Sequence, residues 1–219
     1  MRTVAILPIK SFGDAKQRLA HELSAPSRRT LAEAMFSDVL VALHATTTLG
    51  DIIVVTGDHR AQQIARRYGA TILGDANAGH NVAANNGIRE ALCAGAERAL
   101  LVPGDCPLLD PIELERLIAH PAAPRSVLIV PDRHGSGTNA LLLTPPDAVA
   151  PAFGPGSRRR HLDNALLADA VPEIIEVSSL GLDVDTLEDL AAVQAKTAGS
   201  PEGAARTRQV LSQLARSLA

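Results

Sequence analysis

Three cations follow directly after the first apolar segment of this chain. Residues 3–9 have the length and composition of a buried strand, and the short, glycine-containing stretch behind them carries Lys10, Lys16 and Arg18. Open α/β sheets bind ligands beyond the carboxyl ends of their strands, and a cationic loop at that edge suits a polyphosphate. Because most Lys and Arg side chains are simply solvated, the loop alone leaves ligand binding and ordinary surface charge equally open.

Three aspartates could provide the acidic counterpart of this loop. Asp105 follows the apolar segment 98–103 and is bracketed by a glycine and prolines, which hold it rigidly at the ligand edge. Asp183 and Asp185 are separated by one residue, so on an extended segment one would reach the site while the other caps a helix beginning near Thr186. Mg²⁺ prefers one or two carboxylates plus water and substrate phosphates. The aspartates therefore predict a magnesium site, with surface carboxylates near helix caps as the alternative.

Two polar loops have the composition of anion-binding segments. The first, 132–139, offers backbone N–H groups, hydroxyls, a cation and the Asn139 amide between two strand-like segments. In the second, 153–161, Ser157 and three arginines beginning at Arg158 stand where a loop enters a helix, a natural position for a phosphate or carboxylate. A plain turn and a solvated charged face are the respective alternatives.

A third polar segment runs from Gly74 to Gly87 and is rich in asparagine. Amide side chains such as that of Asn81 can read the hydrogen-bonding edge of a purine, so we expect a nucleotide contact there. Asparagines are also common in ordinary turns, which is the competing interpretation.

Composition limits the classes of protein to which the chain could belong. Its 219 residues, 46% of them hydrophobic, suffice to bury the core of one domain, and a formal charge of −3 argues against nucleic acid as a partner. No apolar run approaches the ~20 residues that span a bilayer, and the N-terminus lacks the features of a signal peptide, so no membrane is expected. The two cysteines form no disulfide framework, and we therefore expect a cytoplasmic protein.

Strand and helix patterns alternate along the chain, which predicts an α/β sandwich with a mostly parallel sheet. Strand-like segments occur at 3–9, 51–56, 98–103, 126–131, 139–144 and 172–177, with a weaker one at 70–73. Helical patterns occur at 27–46, 60–68, 82–94, 111–119, 159–169 and 186–196.

The C-terminal segment is predicted to be a separate helical tail. We place the main domain at 1–197 and the tail at 198–219, where a helical pattern resumes after a Gly/Ser/Pro stretch. The tail helix either packs on the domain or forms a contact between the subunits of a homodimer.

Several common catalytic motifs are absent from the sequence. It contains no G-x-x-x-x-G-K-[ST], no G-x-G-x-x-G after the first strand and no G-x-S-x-G. These absences disfavour a P-loop phosphotransferase, a Rossmann dehydrogenase and a hydrolase with a nucleophile elbow.

The polar motifs together resemble one family of nucleotidyltransferases. They read P-I-K-S-F-G-D-A-K-Q-R-L at 8–19, P-G-D-C-P-L-L at 103–109, D-R-H-G-S-G-T-N-A-L-L at 132–142, F-G-P-G-S at 153–157 and L-D-V-D-T at 182–186. The family comprises 2-phospho-L-lactate guanylyltransferase and its phosphoenolpyruvate-using relatives of coenzyme F420 biosynthesis. The likeness covers about residues 3–196, and the third and fourth motifs are its more specific parts.

The resemblance implies a three-layer α/β/α sandwich of the nucleotide-diphospho-sugar transferase (GT-A-like) type. It also implies transfer of GMP from GTP to a phosphorylated three-carbon acid, with Mg²⁺ as cofactor and pyrophosphate as leaving group. Contacts to the acid would fall on Thr138, Gly154 and Ser157, with Asn139 and Arg158 beside them. Metal contacts would fall on Asp105, Asp183 and Asp185. The departing pyrophosphate would be held by Lys10, Lys16 and Arg18, and the nucleotide also by Asn81.

The chemistry implied by the resemblance needs no general base. A phosphate monoester carries about −1.5 to −2 charges at pH 7, so the attacking group is already ionised. Catalysis would then depend on positioning and charge neutralisation. The acid stays open among 2-phospho-L-lactate, phosphoenolpyruvate and 3-phospho-D-glycerate. The alternatives are a molybdopterin guanylyl- or cytidylyltransferase and a non-catalytic nucleotide-binding regulator of the same shape.

Overall fold

One sheet of seven strands runs through the described part of the protein. The computed structural model describes residues 1–76, 78–121, 123–198 and 203–218. The strands stand in the order β3-β2-β1-β4-β6-β5-β7. Their bounds are Thr3–Pro8 (β1), Leu49–Val55 (β2), Thr71–Leu73 (β3), Arg98–Leu101 (β4), Ser126–Pro131 (β5), Thr138–Thr144 (β6) and Val171–Ile174 (β7). Each strand overlaps a segment that the sequence pattern predicts to be a strand.

Helices connect most of the strands. They are Ala25–Ala45 (α1), His59–Arg66 (α2), His80–Cys93 (α3), Pro111–Ala119 (α4), Ser157–Leu167 (α5), Leu187–Ala198 (α6) and Ala205–Leu218 (α7). Helix α4 begins as its sequence predicts, because the Asp110 carboxylate accepts hydrogen bonds from the first free N–H groups. None of the described helices is both long and apolar enough to cross a membrane.

The strands are covered by helices on both faces. On β1, Leu7 packs into a buried cluster with residues of α1, α2 and α4, whereas its neighbour Ile6 packs into a second cluster with α3 and α5. Successive side chains of a strand point to opposite faces, so this alternation places one helical layer on each side of the sheet. The predicted three-layer sandwich with a mostly parallel sheet is confirmed.

Strand β6 is the exception to the parallel arrangement, because it runs antiparallel to both β4 and β5. The segment 132–137 that joins β5 to β6 is too short for a parallel crossover, which needs about a dozen residues or more. It therefore closes a hairpin, in which the Gly135 N–H donates to the Asp132 carbonyl at 2.9 Å. This reversal brings the start of β6, with Thr138 and Asn139, beside the carboxyl end of β4.

Helix α7 packs against α1. The Asp38 carboxylate in α1 accepts hydrogen bonds from the backbone N–H groups of Arg206 and Thr207, at 3.2 and 2.8 Å. Leu211 joins a buried cluster that also contains Met35 of α1 and residues of α6. Residues 199–202 and 219 of the predicted tail lie outside the described residues, and the division at 197/198 stays a prediction.

Candidate active site

Two cavities adjoin at the carboxyl ends of β1 and β4. The first has a volume of about 430 Å³ and is lined by the loop that follows β1. The second has a volume of about 660 Å³ and extends to the start of β6 and of α5. Both are lined by the same group of polar residues, Lys10, Arg18, His80, Asp105 and Asp185. A ligand in one cavity would therefore share a charged wall with a ligand in the other.

Lys16 is held in an uncommon backbone conformation at the first cavity. Its φ of 56° and ψ of 42° lie in the left-handed region, between two short 3₁₀ turns at Phe12–Asp14 and Gln17–Leu19. A non-glycine residue in this region costs roughly 1–2 kcal/mol. The turn directs the Lys16 side chain inward, so that only 7% of it is exposed.

The Lys16 ammonium lies between two carboxylates. Its Nζ atom is 2.6 Å from Asp105 Oδ2 and 3.1 Å from Asp185 Oδ1. Burial alone would lower the pKa of Lys16, but the charges of Asp105 and Asp185 outweigh it and raise the pKa above its ordinary value. Lys16 is consequently a fixed positive charge at any physiological pH.

Lys10 and Arg18 are more exposed than Lys16. The Arg18 side chain is 75% exposed, and its Nη1 atom is 3.4 Å from Asp185 Oδ2. A surface ion pair of this kind contributes little to stability because water competes for both partners. Arg18 and the exposed Lys10 can therefore turn toward an incoming anion at small cost.

The two aspartates of the D-x-D segment have different surroundings. Asp183 accepts a hydrogen bond from Asn139 Nδ2 at 3.3 Å, and the same nitrogen donates to the Leu180 carbonyl at 2.6 Å. Burial, and after it the charge of Asp105, raises the pKa of the Asp183 carboxyl. Asn139 thus lines the second cavity and also positions Asp183, a role that its sequence context did not indicate.

The expectation that one of these aspartates caps α6 is wrong. The Asp189 carboxylate accepts from the N–H groups of Asp185 and Thr186, at 2.9 and 2.7 Å, while Thr186 Oγ1 accepts from the Asp189 N–H. This reciprocal pair is a capping box with the acid inside the helix. Asp183 and Asp185 are both left to line the second cavity.

The carboxylates fit a magnesium ion only in part. Hard oxygen donors of this type suit Mg²⁺, and Asp105, Asp183 and Asp185 all line the second cavity. Within the described residues, however, no group of three or more His, Cys, Asp and Glu side chains could hold a metal ion. Burial, and after it the negative charge of Asp105, raises the pKa of Asp183, and a nearby cation would favour its charged form. The arrangement therefore fits a metal held by one or two carboxylates and completed by oxygens of the ligands.

The wall of the second cavity combines hydroxyls with a glycine-rich turn. Thr138, Gly154 and Ser157, the three residues that the resemblance assigns to the acid, all line it. Ser157 is the first residue of α5, and its N–H donates to the Gly154 carbonyl at 3.0 Å. Gly154 has a φ of 118°, which L side chains rarely adopt, so glycine is required for this turn.

Two residues that are predicted to contact a ligand make hydrogen bonds to the protein backbone. Asn81 lies in the first turn of α3, where its amide accepts from the Phe153 N–H at 2.8 Å and donates to the Phe153 carbonyl at 3.2 Å. Arg158 donates its backbone N–H to the Ser136 carbonyl at 3.3 Å. Neither residue lines the two cavities, so the sequence-based assignment of ligand contacts to them stays a prediction.

Two further residues support the walls of the cavities. His80 lies within the segment 74–87 that is predicted to contact the nucleotide, and it lines both cavities. Its ring is edge-on to Phe153 at 5.2 Å, and burial followed by the charge of Lys10 lowers its pKa. Asp58 caps α2 and also accepts from the Phe12 N–H at 2.9 Å, which anchors the cationic loop. The sequence signal for Asp58 is only that of a helix cap, because the second contact depends on tertiary structure.

The three-layer fold is similar to that of solved structures of other proteins. A similar solved structure is that of a protein from Desulfovibrio desulfuricans G20 assigned as a nucleotide-diphospho-sugar transferase. It superimposes with a TM-score of 0.72 at 16% identity, covering 98% of this chain and 99% of the other. At this identity the likeness concerns the fold alone.

The chain belongs to the family of CofC-like guanylyl transferases, whose model matches residues 3–205. Phosphoenolpyruvate guanylyltransferase of Conexibacter woesei is 49% identical over 99% of this chain and 98% of its own length. The 3-phospho-D-glycerate guanylyltransferase of Colwellia psychrerythraea is 35% identical over 87% of this chain and 90% of its own length. The predicted family and the predicted class of enzyme are both confirmed.

Proposed function

We propose that this chain transfers GMP from GTP to a phosphorylated three-carbon acid, releasing pyrophosphate in a step of coenzyme F420 biosynthesis. The observation that carries the proposal is the charged wall shared by the two cavities. Such a wall suits a reaction between two anions. A ligand in each cavity would touch it, so its cations could neutralise the charges of both anions where they approach each other. Phosphoenolpyruvate is the first candidate for the acid, since a relative of that name is 49% identical over nearly the whole chain.

In the proposed reaction, the phosphate of the acid attacks the α-phosphorus of GTP and the bond to the β-phosphate breaks. The attacking phosphate is ionised at pH 7, so no residue has to remove a proton. The protein would hold the two phosphates in line and neutralise their charge. The triphosphate is proposed to bind in the first cavity, beside Lys10, Lys16 and Arg18. The acid is proposed to bind in the second cavity, at the wall formed by Thr138 and Ser157.

Mg²⁺ is the proposed cofactor, held by one or two of Asp105, Asp183 and Asp185. When bound, it would neutralise phosphate charge and stabilise the charge that develops on the leaving group. Lys16 already neutralises part of the charge of Asp105 and Asp185. A cytoplasmic location is also part of the proposal, and the two cysteines, both free thiols, support it.

Pyrophosphate release by the purified protein tests this function. Four nucleoside triphosphates would be combined with phosphoenolpyruvate, 2-phospho-L-lactate and 3-phospho-D-glycerate, each with Mg²⁺ and with excess EDTA. We expect release with GTP and phosphoenolpyruvate, and loss of it in EDTA. Release with CTP in place of GTP would contradict the choice of nucleotide. Nucleotide binding without release in any combination would favour the non-catalytic regulator.

A further inference from the structure

We propose that His161 is a positioning residue, which orients the Thr138 hydroxyl as a hydrogen-bond donor to the anionic group of the acid. The inference rests on the proposed function for the identity of the ligand. It assigns a role to a residue outside the motifs that carry the family resemblance. His161 lies in α5, one turn after Ser157, and is completely buried.

The hydrogen bonds of the imidazole determine which nitrogen carries its proton. The backbone N–H of Ala152 donates to His161 Nε2 at 2.9 Å, so this nitrogen must be unprotonated. In a neutral imidazole the proton is then on Nδ1, which lies 3.0 Å from Thr138 Oγ1. His161 therefore donates to the Thr138 hydroxyl oxygen.

This direction of donation leaves the Thr138 proton available for a ligand. With one lone pair taken by His161, the hydroxyl hydrogen must point to another acceptor. No other hydrogen bond to the Thr138 side chain is present among the described residues, and this residue lines the second cavity. A hydroxyl held in this orientation would meet a carboxylate or phosphate as a donor without having to reorient.

The surroundings of His161 keep its ring neutral and fixed. Burial, and after it the charge of Arg160, lowers the pKa of His161 to about 4. The ring also makes an edge contact with Phe153, at 5.2 Å between centroids. A protonated ring would present a second N–H to the Ala152 N–H, so the observed arrangement requires the neutral form.

Two substitutions of His161 separate donation to Thr138 from a general structural role. Both His161→Leu and His161→Asn lose the acceptor for Ala152, but Asn places an amide N–H close to the position of Nδ1. We expect His161→Leu to raise the KM for phosphoenolpyruvate about tenfold, the effect of losing one hydrogen bond to a charged group. The KM for GTP should stay within about twofold, and His161→Asn should recover most of the loss. A half-buried histidine that lines neither of the two cavities supplies the matched control: His120→Gln should leave the KM for phosphoenolpyruvate and the KM for GTP unchanged.

A double-mutant cycle with Thr138→Val provides the decisive comparison. If His161 acts through the hydroxyl, His161→Leu should raise the KM for phosphoenolpyruvate no further in the Thr138→Val background. Additive effects of the two substitutions, or equal effects of Leu and Asn, would overturn the proposal.

Nitrogen-15 NMR of the His161 imidazole in the wild-type protein tests the same inference. It needs neither a measurement of enzyme activity nor a variant that folds. A ring protonated on Nδ1 at pH 7 supports the proposal, whereas protonation on Nε2 or on both nitrogens overturns it. If the wild type released no pyrophosphate with any acid, the proposed function would fail. The NMR result would then decide the orientation of Thr138 separately.

Discussion

At the scale of single residues, the site depends on a buried positive charge. A left-handed backbone turn places Lys16 between Asp105 and Asp185, and no sequence pattern predicts this turn. The sequence did indicate that cations and aspartates would share one edge of the sheet, because both follow strand-like segments. Which cation is buried and which is solvated depends on backbone conformation, and therefore could not be predicted from residue type.

Replacing Lys16 by methionine should reduce kcat by about 100-fold or more. The substitution keeps most of the volume but removes a preorganised charge from the proposed triphosphate site, and losing one such group costs about 10²–10³-fold. Arg18→Met is the matched control, because the Arg18 side chain is 75% exposed and should cost about tenfold at most. Steady-state pyrophosphate release measures both. A larger loss for Arg18→Met than for Lys16→Met would contradict the role given to the buried charge.

His161 should make the protein less stable as the pH falls from 6.5 toward 4. Its pKa is about 4 in the folded state and 6.5 ordinarily, so within this window the unfolded chain binds a proton that the folded chain does not. The resulting loss in the free energy of unfolding is roughly 2 kcal/mol between pH 7 and pH 4.5. Urea unfolding of wild type and His161→Leu measures this loss. The free energy of unfolding of the wild type should exceed that of His161→Leu by less at pH 4.5 than at pH 7. A difference that stays constant with pH would show that His161 does not titrate this way.

At the scale of secondary-structure elements, helix ends place polar side chains at the two cavities. The Asn/Gly-rich segment at 74–87 overlaps the helical pattern predicted at 82–94, and in the structure α3 begins at His80. Gly87 is a packing residue, since a Cβ atom there would lie 2.4 Å from Ile6 Cγ2 in β1. Local composition predicts a helix here but does not show that the helix approaches the sheet this closely. Local composition also does not show that Asp189, and neither Asp183 nor Asp185, caps α6.

Asp189→Ala should lower both stability and activity. It removes the cap of α6 and the partner of Arg133 Nη2, at 2.8 Å, and it frees the backbone N–H that orients Asp185. Loss of a cap costs about 1 kcal/mol, and loss of the ion pair adds to this. Asp110→Ala, which removes the cap of α4, is the matched control: it should cost about 1 kcal/mol in urea unfolding with kcat within about twofold. Equal kcat values for the two variants would mean that the cap does not position Asp185.

At the scale of the whole molecule, the sheet order assembles the site from distant parts of the chain. Strands β1 and β4 are neighbours, and antiparallel β6 joins β4, so the loop after β1, Asp105 and Thr138 meet at one edge. The alternation of strands and helices predicts the layers and the ligand edge. It does not predict the strand order or the reversal of β6, because both depend on pairing between segments far apart in sequence. The cavity assigned to the acid depends on that reversal.

Transfer of isotopic label from GTP shows which phosphorus atom the acid attacks. The wild-type protein would be incubated with Mg²⁺, phosphoenolpyruvate and GTP labelled at either the α- or the γ-phosphate. Attack at the α-phosphorus predicts that α-label appears in the conjugate of GMP with the acid and that γ-label appears in pyrophosphate. Asp105→Asn should abolish both transfers. Label from the γ-position in the acid, or no transfer of either label by the wild type, would contradict the proposed transfer of GMP.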